Sequence, residues 1–119
     1  MTKNNIWVIS STFPNADEAF SVAGELVEKK LIACATISAP MMSIYRWQGG
    51  IQRESEVTMT AKTSQEKVSV AIETLAALHS YQLPAVSAWP VEKGFEPFLQ
   101  WVVDETTDKP ANDNKDISG

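Results

Sequence analysis

Apolar residues in this chain change spacing from two to about 3.6 and back, twice in the same order, which leaves few topologies open. Residues 5 to 12, NIWVISST, are β-branched and aromatic, as strands are. In the following PNADEAFSVAGELVEKKL, Ala16, Ala19, Phe20, Ala23, Leu26 and Val27 recur at helical spacing. Asn15 with Glu18 supplies an N-cap pair, and Lys29 and Lys30 bring cations to the negative end of the helix dipole. A β region follows over residues 33 to 62. Pro40 interrupts it, so a bulge or an edge is expected there. The Gly49-Gly50 pair reverses the chain. On the return strand Val57, Met59 and Ala61 alternate with Glu56, Thr58, Thr60 and Lys62, the pattern of a half-buried strand. Thr63 and Glu66 read as a capping box opening a second helix, which carries Val68, Ala71, Ile72, Leu75 and Leu78 on one face. PAVSAWPV is a further strand, and FEPFLQWVVDE a short helix with Pro97 in its first turn.

The order is β-α-β-β-α-β with a terminal helix. Right-handed crossovers put both long helices on one side of an antiparallel sheet, an α+β ferredoxin-like split βαβ. Two helices cover only one sheet face. The other meets water or a partner, and Trp7, Trp47 and Trp89 lie on or beside strands, so part of this aromatic surface is expected to meet another subunit.

Length and composition set the outer limits. With 119 residues, 44% hydrophobic and 21% charged, the chain holds one domain able to bury a core. From Asp104 to Gly119 five acids stand against two lysines, so this stretch carries three of the five net negative charges. The expected organisation is a folded domain over residues 1–105 and a flexible acidic tail over 106–119. A net charge of −5 without a concentrated basic footprint excludes a nucleic-acid binder. No run approaches the roughly 18 apolar residues of a membrane span. The opening MTKNNIWVISSTFP has no secretory-signal pattern, and Cys34, the single cysteine, suits a reducing compartment, so a cytoplasmic address is expected.

The segments KLIACATI, SIYRWQGGIQRESEVTMTAKT, HSYQLP and PVEKGFEPFLQWV occur in an order and at spacings that resemble the CutA divalent-cation-tolerance proteins, over roughly residues 5 to 103. The resemblance implies a ferredoxin-like homotrimer, related in architecture to PII signalling proteins, and a link to copper and other divalent metals. Within HSYQLPA, Ser80 stands where the family usually has proline and Ala85 where it has a glutamate. Any ligand site that used that glutamate is weakened here.

Two sets of residues are candidates for function. Cys34 and His79 are the only thiol and the only imidazole, a donor pair that suits copper or zinc. Their spacing matches no metal motif, and one chain cannot close a four-ligand zinc site from them. For Cys34 the alternative is a small buried hydrophobe. For His79 it is a helix-closing imidazole at the negative end of the dipole. The second set is Trp47, Glu56, Lys62 and Tyr81, which in a trimer would line a polar cleft between subunits. Independent solvated charges and an aromatic interface are the alternatives for these. No nucleophile elbow and no phosphate-cradling glycine loop is present, so a non-catalytic protein is expected.

Overall fold

The computed structural model describes residues 5–108. β1 (Ile6–Phe13) is paired antiparallel on both sides, with β4 (Gly50–Ser64) and with β5 (Val86–Val91). β2 (Cys34–Ile37) adds outside β4, giving the order β2-β4-β1-β5, while β3 (Met41–Trp47) pairs with the other half of β4. α1 (Ala16–Glu28) joins β1 to β2, α2 (Val68–Leu78) joins β4 to β5, and α3 (Glu96–Glu105) ends the fold. This is the ferredoxin-like α+β topology with a terminal helix. Pro90 is tolerated because β5 is an edge strand with a free outer side.

Strand alternation divides the side chains between two faces. Ile9 and Phe13 of β1, with Val57, Met59 and Ala61 of β4, meet Ala19, Val22 and Leu26 of α1 and Ala71 and Leu75 of α2 in the main core. Ile9, Phe13, Leu26, Met59 and Leu75 are fully buried, each contributing about 1.5–3 kcal/mol by leaving water. On the opposite face, Ile6 packs under Leu99 and Val102 of α3, forming a smaller core at one end of the sheet. Trp89 remains half exposed on that face. Trp7 does not: it packs against the helix-side core and donates its indole N–H to Gln65 at 2.9 Å.

Local chemistry explains the element ends. The Asn15 side chain accepts the Glu18 N–H at 2.8 Å and starts α1. The capping box expected at Thr63 does not form, because β4 runs on to Ser64. The Thr63 hydroxyl instead donates to the Leu31 carbonyl at 2.7 Å, and Lys67 occupies the N-cap position without a side-chain cap. The reversal between β3 and β4 uses Gln48 and Gly49, both with positive φ, while Gly50 already pairs with Trp47. That is the turn geometry whose twist matches a hairpin. Residues 38–40 separate β2 from β3. There Ser38 exchanges two hydrogen bonds with Thr58, its N–H donating to the Thr58 carbonyl and its hydroxyl accepting the Thr58 N–H.

The expected tail lies, from residue 109 on, outside the described residues. Its first part is held to the body. Thr106 is fully buried, its hydroxyl donating to the Val102 carbonyl at 2.8 Å and lying 2.9 Å from the Ser64 hydroxyl. Asp108 accepts from Lys67 Nζ at 2.8 Å.

Candidate functional site

Over residues 50–56, β4 leaves the main sheet with only β3 beside it, so the two strands form an arm. The loop after α2 approaches this arm. Between them lies a cavity of about 550 Å³, bounded by Thr12, Tyr45, Trp47, Glu56, Tyr81 and Leu83 among others. Its size falls within the roughly 300–1,000 Å³ of small-molecule pockets.

Pairing in the arm sorts its side chains. Residues directly opposite one another in an antiparallel ladder share a face. The rungs Met41–Glu56, Ser43–Glu54, Tyr45–Gln52 and Trp47–Gly50 therefore present aromatic rings and two carboxylates on one face. Met42, Ile44, Arg46, Ile51, Arg53 and Ser55 alternate to the other. Glu56 is 5% exposed, and its carboxylate accepts the Tyr81 hydroxyl at 2.7 Å. Burial, then that bond and the Glu56 charge, raise the Tyr81 phenol well above its ordinary value. Desolvation first, then Glu54 and Glu56, raise that of Tyr45 as well. The cleft thus presents neutral phenols beside negative charge.

The loop owes its position to His79, whose side chain is fully buried at the C-cap of α2. Its Nε2–H donates to the Thr12 carbonyl at 2.8 Å, and its Nδ1 accepts the Tyr81 N–H at 3.1 Å. These partners require the tautomer with its proton on Nε2, since a carbonyl only accepts and an amide N–H only donates. The ring stacks on Phe13 with centroids 4.2 Å apart. Glu18 of α1 grips the next residue with both oxygens, accepting the Ser80 N–H at 2.8 Å and its hydroxyl at 2.7 Å.

The structure brings Trp47, Glu56 and Tyr81 together around the cavity. Lys62 is not among them. It lies six residues from Glu56, roughly 20 Å along an extended strand, because same-face alternation does not imply proximity. Cys34 and His79 are also kept apart. Cys34 pairs with Lys62, whereas His79 is bonded to Thr12, which pairs with Thr58. Four residues of β4, roughly 13 Å, separate those two rungs, and the two sites lie on opposite sides of β4. Both His79 nitrogens are already engaged, so the pair offers no common site within one chain. Among the described residues no three of His, Cys, Asp and Glu gather as a metal site. Sequence reasoning missed Thr12 and Glu18, and nothing local announces that Glu18 reaches Ser80.

A family model described as the CutA1 divalent ion tolerance protein matches residues 7–105. The divalent-cation tolerance protein CutA of Archaeoglobus fulgidus is 40% identical over 97 residues, covering 82% of this chain and 93% of that protein. Protein CutA of Homo sapiens is 41% identical over 91 residues, covering 76% of this chain and 51% of its own, so this chain spans about half that relative's length. The crystal structure of divalent ion tolerance protein CutA1 from Ehrlichia chaffeensis superposes with a TM-score of 0.83 at 32% identity, covering 89% of this chain and 99% of that one.

Proposed function

From the membership of this chain in the CutA1 divalent ion tolerance family, we propose that it serves tolerance to divalent cations, copper foremost, as a non-catalytic homotrimer in the cytoplasm. The family is named for tolerance of ions, not for a reaction, and that membership is what carries the reading. The assembly draws support from apolar surface that a lone chain leaves in water on one face of the arm: Met42 is 73% exposed, Ile44 63% and Ile51 52%. Clustered exposed apolar groups mark contact surfaces. For copper the soft donor is Cys34, half-buried on edge strand β2. With His79 committed to backbone partners, further ligands come from other copies of the chain or from oxygen donors.

The test combines sedimentation equilibrium with Cu(I) and Zn²⁺ titrations of the reduced protein. About three chain masses are expected, with Cys34→Ser weakening Cu(I) more than Zn²⁺ and His79→Ala leaving both affinities unchanged. A monomer, or a Cys34→Ser protein with undiminished copper affinity, overturns the reading. A second reading, a PII-like regulatory module that holds a ligand in its cleft, is favoured by one observation: the buried Glu56 carboxylate faces a cavity large enough for a small molecule.

A further inference from the structure

We infer that the cleft between the β3–β4 arm and the loop after α2 is a binding site for a small organic ammonium cation, seated against Glu56 and the rings of Tyr45, Trp47 and Tyr81. The inference rests on the cleft being a ligand site and names the class of ligand.

Glu56 carries the argument. A carboxylate that is nineteen-twentieths buried needs a compensating charge or several donors, because most of its hydration is lost. Its one hydrogen-bond partner among the described residues is the Tyr81 hydroxyl, a neutral donor, and it forms no ion pair within 4 Å. Arg46 borders the cavity but makes no ion pair with Glu56 within 4 Å, and Arg53 alternates to the arm's other face, whereas Glu54 shares the face of Glu56. The raised phenols of Tyr45 and Tyr81 respond to both carboxylates, which agrees with an uncompensated negative field. The site therefore selects a cation.

Size and donors decide which cation. A hard divalent ion takes about six oxygen ligands, several of them carboxylates, in a tight shell. Here no three acidic or soft ligands converge among the described residues, and the space is about 550 Å³, far larger than one ion needs. An ammonium head needs less: one carboxylate and the faces of aromatic rings, which attract cations through their quadrupoles. Tyr45, Trp47 and Tyr81 supply the rings, and the side of the cavity at Leu83 accommodates an apolar substituent.

Calorimetric titration with three probes of nearly one shape tests this: choline, its neutral isostere 3,3-dimethylbutan-1-ol, and 3,3-dimethylbutanoate. Choline should bind at least tenfold more tightly than the alcohol, with the carboxylate weakest. Glu56→Gln, which keeps an acceptor for Tyr81, should cut choline affinity at least tenfold. Tyr45→Leu, at a half-exposed position that leaves the fold intact, should cut it about two- to thirtyfold, the range of one cation–π contact. If the alcohol or the carboxylate binds as well as choline, the cleft stands as a ligand site and the cation assignment falls. If none of the three binds, the cleft reading falls with it. If Mg²⁺ or Zn²⁺ displaces choline in a Glu56-dependent way, the ligand is an inorganic ion and the proposal is overturned.

Discussion

His79 is held by what surrounds it on every side: a carbonyl, an amide N–H and the ring of Phe13. His79→Ala removes both bonds and leaves a void in close-packed surroundings, so it should cost about 3 kcal/mol in urea unfolding. Tyr81 gives a prediction in pH. Its phenol is raised from the ordinary 10.0, so above that pH the unfolded chain loses this proton while the folded one keeps it. The folded state then binds more protons, and stability must fall as pH rises. The contribution is complete below pH 10.0 and is lost progressively above it. Tyr81→Phe should flatten that alkaline decline in thermal melts without steepening the acid side. Composition alone could point to Cys34 and His79 as soft ligands. Which of their atoms remain free is a matter of contacts 67 residues apart, as with Thr12, and no local pattern encodes those.

The elements were mostly legible because each period of apolar residues runs long enough to exclude its rival. The exception is instructive. Thr63 to Glu66 has the letters of a capping box, but Thr63 pairs with Trp7 in the sheet, and the tertiary ladder outweighs a local cap worth about 1 kcal/mol. Among the described residues, two other than glycine hold left-handed backbone, Lys30 at φ 60° and Gln48 at φ 51°. Gln48→Asn suits the turn better and should stabilise by about 0.5 kcal/mol, read from the urea midpoint. The end of α3 gives a sharper test. Ending the chain after Glu105 deletes buried Thr106 and strips Lys67 of Asp108, so melting should fall by several degrees. Ending it after Asp108 keeps both contacts and should leave the melting temperature in place.

At the scale of the whole molecule, the proposed assembly would draw on the sheet face beyond α3 and on the arm. Met42→Asp, on the arm's exposed apolar face, should loosen the assembly at micromolar concentration, and sedimentation would show lighter species. The topology followed from order and handedness because few folds admit two strand–helix crossovers on one antiparallel sheet. The cleft did not, since it arises only where β4 outruns its neighbours. That overrun has a kinetic consequence. Lys62 and its nearest neighbours on β4 lie between two strands, while residues 50–56 have β3 alone beside them. Backbone amides along this one strand should therefore fall into two classes of hydrogen exchange, slow near β1 and β2 and fast in the arm. If the arm instead exchanges as slowly as the sheet, something outside the chain is shielding it, and the dependence of that shielding on protein concentration would report subunit association directly from the backbone.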